Sequence, residues 1–457
     1  MPQTLRYTLV SLREMLASAG PIALIAIALL VLAYHWLDPQ PPRRVTLATG
    51  PAQSAYAEFG QRYARALAAS GIQVELLESE GSADNLRLLR EGRADVAFVQ
   101  GGSADPAADD EDAPALVSLG SLFVEPVWVF YREAAARRAR PAGTLARLSD
   151  LRGLRVNVGT RGSGVPALFT QLLAANGLDP QSLTISREPQ TPATVAFLAG
   201  QLDVLVFASA PEALMVQMLL RTPGVRLMDF SQSEAYARRL PFLTPVQLPR
   251  GVVDLASDVP PRDVRLIAST TRLLAREDTH PALLQLFAQA ALGLHGGAGW
   301  FNRAHEFPNT ALNVGYPVSR EAERAYRNGT PTLQRYLPFW VANLVERMWL
   351  ALGIILAALL PLSRIVPPLY QMRVRSRVYR WYAQLRDIEE RGEHEPARRD
   401  ALREELDALE SRVEKIAVPL SYADELYALR HHISLVRSRL LAPTATTPDR
   451  ADAGVKA

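Results

Sequence analysis

The sequence predicts an α/β protein: two similar lobes of alternating strands and helices between two apolar membrane-crossing helices, followed by an α-helical hairpin. Three observations predict this. A strand–turn–helix phrase occurs twice, two uncharged apolar runs bracket the region holding both copies, and the C-terminal segment carries leucine stripes at helical spacing.

Composition bounds the rest. At 457 residues the chain exceeds one ordinary domain, and 48% hydrophobic residues supply a sizeable core. A formal charge of +3 is too small to point to nucleic acid, so no such partner is expected. Lys415 and Lys456 are the only lysines; the basic balance is arginine. With no cysteine, disulfides, thiolate metal sites and cysteine nucleophiles are excluded.

The elements follow in chain order. Residues 1–19 hold Arg6 and Arg13 and are expected in the cytoplasm. The run "GPIALIAIALLVLAYHWL", Gly20–Leu37, has no charge and suits a bilayer crossing. A cleaved signal peptide is the rival, but no small-x-small site follows, and Tyr34, His35 and Trp36 form an interfacial cluster. The second run lies within 345–363, and its core "MWLALGIILAALLPL" covers ~24 Å of a ~30 Å hydrocarbon layer. Flanking arginines and the upstream "LPFWVANLV" extend it; a buried core helix is the bland alternative. Arg364, Arg373, Arg375, Arg377 and Arg380 then follow with no acid among them, a positive-inside signal that puts both termini in the cytoplasm. Arg43 and Arg44 are a smaller signal of opposite sense. Residues 44–336 are then expected to be extracytoplasmic.

In that segment β-rich runs at 44–49, 73–78, 95–100, 124–131, 155–160, 183–188, 203–209, 224–230 and 263–269 alternate with helical stretches, as in lobes with mostly parallel sheets. The first lobe is read as 44–130 with 231–336, the second as 131–230. Setting Val45 on Val156 matches Leu47 with Val158, Thr49 with Thr160, "LAASG" with "LAANG", Gly92 with Gly200 and Asp95 with Asp203. Any two βαβ units share some of this; the ordered series at near-equal spacing favours two similar lobes.

Facing α/β lobes make a cleft, and ligands bind beyond the carboxyl ends of the strands. Two turns lie there: Thr49, Gly50, Ser54 and Tyr56 in the first lobe, Thr160, Arg161, Gly162, Ser163 and Gly164 in the second. Their backbone N–H groups at helix starts suit an anion, and Arg161 offers a bidentate fork; otherwise Arg161 is a solvated loop residue.

Four phrases, "SADNLRLLREGRADVAFVQ", "LRGLRVNVGTRGSG", "SEAYARRLPFLTPVQLPRG" and "HPALLQLFAQAALGLHGGAGWF", resemble the TAXI (TRAP-associated extracytoplasmic immunogenic) solute-binding proteins. The anchors and the tail phrases "QRYLPFWVANLVERMW", "YRWYAQLR" and "PLSYADELYALRHHISLVRSRL" look like a membrane-anchored subgroup. The resemblance implies a two-lobed type II periplasmic-binding-protein-like domain. It also implies a receptor that closes around a small organic anion, a carboxylate or amino acid, and serves the membrane subunits of a TRAP-type transporter. It carries over Thr49, Gly50, Tyr56, Gln100, Arg161, Gly162, Ser163 and Gly164, with Glu125 and Ser209 placed by strand-end position. Pro51, Ala52 and Gln53 depart from the family's first loop, and Gly101 and Gly102 replace an aspartate often found after Gln100.

No other chemistry is visible. His280, His295 and His305 lack metal-ligand spacing, and Ser163 has neither a phosphate-loop nor a nucleophile-elbow context. No cofactor and no enzymatic activity are expected. The acidic run 102–115 reads as a surface loop.

In the tail, "RVRSRVYRWYAQLRDIEER" reads as a helix near anionic lipid, with Trp381 and Tyr382 interfacial. Leu402, Leu406, Leu409, Val413 and Ile416, then Leu426, Leu429, Ile433, Val436 and Leu440, give two stripes split by Pro419, hence a helical hairpin within 364–441. It is either self-contained or a homo-oligomerisation or docking face. Residues 442–457 are compositionally a disordered tail. The leading expectation is a membrane-tethered receptor. The alternative is a membrane sensor or assembly protein with output through the hairpin.

Overall fold

The computed structural model describes residues 20, 22–52, 54–103, 105, 110, 112–140, 142–312, 315–395, 398–414 and 423–441. The expectations for 1–19 and 442–457, and much of the acidic run, lie outside the described residues. Pro39–Val345 form one compact unit and the flanking segments a second.

In the larger unit, ten strands form one continuous path of hydrogen-bonded neighbours. They are β1 (Arg44–Ala48), β2 (Gln73–Leu77), β3 (Val96–Gln100), β4 (Leu116–Arg132), β5 (Arg155–Asn157), β6 (Thr184–Ser186), β7 (Val204–Ala208), β8 (Val225–Leu227), β9 (Thr244–Leu248) and β10 (Val264–Arg276). The main order is β2-β1-β3-β10-β4-β7-β5-β6, with β8 on β4 and β9 on β10. Helices α2 (Ala55–Ala68), α3 (Ser82–Arg90), α4 (Glu133–Ala139), α5 (Val165–Ala175), α6 (Gln190–Leu198), α7 (Leu214–Arg221), α8 (Ser233–Arg239), α9 (Pro281–His295) and α10 (Arg320–Asn328) complete it. One core gathers around Trp128, Phe169 and Phe197, another around Tyr63, Phe98 and Phe287.

The sequence echo is a structural repeat. β2-β1-β3 and β6-β5-β7 are each parallel triplets with the first-occurring strand in the middle. The matched aspartates do the same work in both. Asp95 N–H donates to Thr46 O (3.0 Å), and Thr46 N–H donates back to Asp95 Oδ2 (2.8 Å). Asp203 N–H donates to Arg155 O (2.9 Å), and Arg155 N–H donates to Asp203 Oδ2 (3.1 Å). Each aspartate ties the central strand to the start of the third.

The expectation of mostly parallel sheets is corrected. β4 and β10 pair antiparallel with each other, and β3, β7, β8 and β9 also pair antiparallel to one of them. β4 begins at Leu116 rather than 124, because Ser118, Gly120 and Ser121 break an apolar strand signature while being buried in it. β9 contains Pro245, which argues against a strand in sequence but is tolerated on an edge pairing only with β10. Leu243, Leu248, Val264, Leu266 and Ile267 join the Trp128 core, so chain assigned to the first lobe from sequence packs with the second.

In the other unit, α1 (Ile22–Leu37) is an apolar helix of 16 residues. The helix α11 (Phe339–His394) contains one stretch, Phe339–Ile365, that is long and apolar enough to cross a membrane. By length and composition, the two expected crossings reduce to this single candidate among the described residues. The leucine stripes fall on α12 (Arg399–Glu414) and α13 (Ala423–Leu441), which run antiparallel: Arg403 reaches Leu440 O, and Arg437 pairs with Asp407 and Glu410. Leu385 and Ile388 of α11 enter the same core, making three helices rather than a hairpin. Trp381 and Tyr382 pack against this core, with Arg412 over the Trp381 ring, instead of forming a lipid-facing edge. Ile416 lies outside the described residues.

Asp203 also holds Arg155 and Arg138 by ion pairs. Asp203→Ala should therefore destabilise the larger unit by about 1.5–3 kcal/mol, the range for hydrogen bonds to a charged group. Urea denaturation of the full-length protein by tryptophan fluorescence checks this; an unchanged midpoint would remove the bracket's role.

Candidate functional site

The cleft lies where β1, β2, β5 and β7 end. The β1–α2 turn places Ser54 as the N-cap of α2, its hydroxyl accepting Ala57 N–H at 3.2 Å. This sets Tyr56 in the first helical turn, stacked on Phe98, with its hydroxyl turned to the lobe junction. A cavity of about 620 Å³ opens there, bordered by both lobes.

At its inner end Glu125 of β4 is buried. Tyr56 OH donates to Glu125 Oε2 at 3.0 Å and Thr271 Oγ1 donates to the same oxygen at 2.7 Å. Behind Tyr56 stands Ser82 Oγ (3.1 Å), which accepts Gln100 N–H at 2.9 Å. Burial pushes the Glu125 carboxyl up to about 7, outweighing the two hydroxyl donors that favour its ionised form. Burial, then the Glu125 charge, raise the Tyr56 phenol well above its ordinary value, so it remains a proton donor.

The structure divides the sequence-predicted residues. Ser54, Tyr56, Glu125, Thr160, Ser163 and Ser209 line the cavity. Thr49 is buried behind it; its hydroxyl donates to Leu77 O (3.2 Å) and its carbonyl accepts Ser79 Oγ (3.1 Å). Gly50 shapes the turn: a Cβ there would stand 2.9 Å from Ser54 Oγ. Gln100 borders a separate cavity of about 480 Å³. Arg161 is exposed and is not a cavity residue, so the charged anchor expected from sequence is absent from the cleft.

Gly162 and Gly164 make lobe-to-lobe contacts. Gly162 N–H donates to Glu80 Oε2 of the opposite lobe at 3.0 Å, and a Gly162 Cβ would fall 2.6 Å from Glu80 Cβ. Gly164 has φ +80°, and its Cβ would come 3.0 Å from Ser103 Oγ. In the first turn, Ala52 N–H donates to Glu78 Oε1 at 3.0 Å. Both turns predicted to bind an anion thus spend a donor on a carboxylate of the protein itself.

Sequence reading missed Glu78, Glu80 and Asp84, in the stretch from the end of β2 into α3, and the apolar wall of Phe207, Met215 and Met218. The signal for the acids was their place beyond the carboxyl end of a parallel strand. Among the described lining residues there are four acids and no Arg, Lys or His.

Glu125 gives a stability signature. Its carboxyl is raised on folding, so the folded state holds the proton more tightly. That contribution is complete below about pH 4.5 and is lost as pH rises through about 7. Glu125→Gln removes the term and should gain up to about 3 kcal/mol over wild type between pH 5 and 8. His295, which burial lowers to about 3, has the opposite dependence but contributes equally to both proteins and cancels. Melting temperatures of the two full-length proteins across that range check this; a pH-independent difference would show an ordinary Glu125.

Among solved structures, three similar folds illustrate the spread. A protein from Bordetella bronchiseptica RB50 is 14% identical, with 67% of this chain and 98% of that one covered and a TM-score of 0.40. The alkanesulfonate-binding protein SsuA from Xanthomonas axonopodis pv. citri, bound to MOPS, is 17% identical, with 55% and 74% covered and a TM-score of 0.35. The Synechocystis PCC6803 CcmR regulatory domain in complex with 2-PG is 13% identical, with 56% and 98% covered and a TM-score of 0.36. The family model described as NMT1-like matches residues 47–290, more than half of the sequence, from β1 into α9: the chain belongs to the NMT1-like family.

Proposed function

We propose that the protein is a membrane-tethered, extracytoplasmic solute-binding receptor. The carrying observation is the interlobe cavity of about 620 Å³, walled by both strand–turn–helix repeats and ending on the buried Glu125. A solute there would touch both lobes and so favour the form in which they meet; closure needs that differential affinity. The site requires no bond to be made or broken. Its shape, with a mainly apolar wall and a few converging polar groups, is that of a small-molecule site.

The membrane placement rests on Phe339–Ile365 and the arginines from Arg364 to Arg380 that follow it. On this reading the lobes lie in the periplasm of a bacterial inner membrane and the three-helix cluster in the cytoplasm. Service to a TRAP-type transporter is the finer reading, supported by the TAXI resemblance. The sensor reading also draws on a specific observation: α11 is one unbroken helix from the candidate span into the cluster core at Leu385 and Ile388. A receptor that feeds a transporter has no need of that continuity, whereas a sensor uses it.

The chain has no cysteine, so spin labels at Gln73→Cys and Arg187→Cys, both exposed, report lobe separation in the full-length protein. Adding a panel of amino acids, organic acids, polyamines and sugars should yield at least one solute that shortens the distance saturably. Gly162→Val, whose Cβ would collide with Glu80, should abolish that response. A distance indifferent to every solute and to Gly162→Val would refute the receptor reading.

A further inference from the structure

Three independent features of the cleft bear on what it binds. The first is charge: Glu78, Glu80 and Asp84, the last ion-paired to exposed Arg87, stand along it and Glu125 at its inner end, with no basic side chain among the described lining residues. A cavity lined by one sign of charge concentrates ligands of the other.

The second is donor supply. An anion would need N–H groups, yet Ala52 N–H and Gly162 N–H, one from each turn, already end on Glu78 and Glu80. Ser163 Oγ donates to Thr160 O at 2.8 Å and is likewise committed.

The third is the remaining acceptor capacity. Both hydrogen bonds to Glu125 arrive at Oε2, so Oε1 is the carboxylate oxygen left for a ligand. Ser209, 7% exposed at the end of β7, lines the cavity, and its hydroxyl has no hydrogen-bond partner among the described residues; its carbonyl accepts Trp128 Nε1–H at 2.9 Å. Phe207, Leu214, Met215 and Met218 complete the wall with apolar surface.

We infer that the cleft selects a small organic cation, an ammonium or amidinium group carried on an apolar body, with the cation against Glu125 Oε1 and Ser209 Oγ and the body against Phe207 and the α7 methionines. This deepens the receptor reading and rests on it. It also replaces the organic anion expected from sequence. The environment of Glu125 fits: burial makes its ionised form costly when alone, and a ligand cation supplies the missing charge partner. Oriented by Tyr56 and Thr271 through one oxygen, the carboxylate presents the other at a fixed position.

The test is calorimetric titration of the full-length protein with charge-matched pairs. Phenethylamine, hydrocinnamate and phenylpropanol form an aromatic set; cadaverine and glutarate form an aliphatic one. The inference expects saturable binding of an amine and none of its matched acid or alcohol. Glu125→Gln should weaken amine binding about tenfold or more, since it removes a charge-assisted contact. Ser209→Ala, which leaves the hinge carboxylate intact, should weaken it to a lesser degree. Ser209→Trp, which fills the cleft, should abolish it.

Binding of the acids in preference to the amines, blocked by Ser209→Trp, would overturn the cation inference while keeping the cleft as a receptor site. Amine binding unchanged in Glu125→Gln, with a melting curve showing a folded variant, would also overturn it. No binding of any member by the wild-type protein would overturn the cation inference; the receptor reading falls with it only where the spin-label distance is also indifferent to every solute of the wider panel.

Discussion

The antiparallel pairing of β4 with β10 is the constraint on which the larger unit depends. Ala268 faces Pro126, Ser269 faces Glu125 and Arg276 faces Leu116, so one two-stranded ribbon passes from the second lobe's sheet into the first's. Phe123 belongs to the core around Tyr63 and Val127 to the core around Trp128, with Glu125 between them. A movement of one lobe against the other must bend this ribbon, whose register is irregular beside Thr271 and Arg272. A carboxylate at that junction, bonded to Tyr56 of one helix and Thr271 of the facing strand, reports on any such bend.

The parallel half of this architecture was legible because it is local. Strand, turn and helix lie in sequence order, and the repeat of Val45–Asp95 in Val156–Asp203 exposes two copies of one unit. The ribbon was not legible. Its strands pair 140 residues and more apart, and their buried stretches carry Ser118, Ser121, Thr270, Thr271 and Arg272; Ser121 bonds Thr270 and Thr271 bonds Glu125 only once the partner strand is present. Polar residues that read as a strand's end were its middle. β9 was hidden similarly by a proline that an edge can accept.

The candidate site divides along the same line. Tyr56, Ser163 and Ser209, which line the cavity, lie at helix starts and a strand end that have sequence marks, whereas Glu125, placed at a strand end from sequence, lies inside β4. Gly162 and Gly164 were read from sequence as ligand-binding turn residues, but glycine does not say what approaches it. Here it is the other lobe's Glu80 and Ser103. Arg161 shows the limit of arguing from chemical type: a guanidinium beside a glycine turn suits an anion only if the chain aims it inward. For the helical cluster the stripe spacing fixed α12 and α13, while the third member, α11, was concealed because Leu385 and Ile388 sit in an arginine-rich stretch that resembles a membrane surface helix.

The two carboxylates at the turns carry a consequence for selectivity. A free helix start with open N–H groups attracts whatever anion reaches it, with little regard for size or shape. Supplying Glu78 and Glu80 from the protein removes that attraction and adds negative charge at the same positions. On the cation reading proposed above, discrimination passes inward, to a carboxylate whose ionised form is disfavoured by burial and whose second oxygen accepts no hydrogen bond among the described residues. Such a group gains more from a correctly placed cation than an exposed acid would, because the cation relieves a cost already present in the empty cleft. The same Glu80–Gly162 hydrogen bond holds the lobes together at the rim. On the receptor reading, Glu80 thus takes part in both tasks, sharing the exclusion of anions with Glu78 and bonding the two lobes at Gly162.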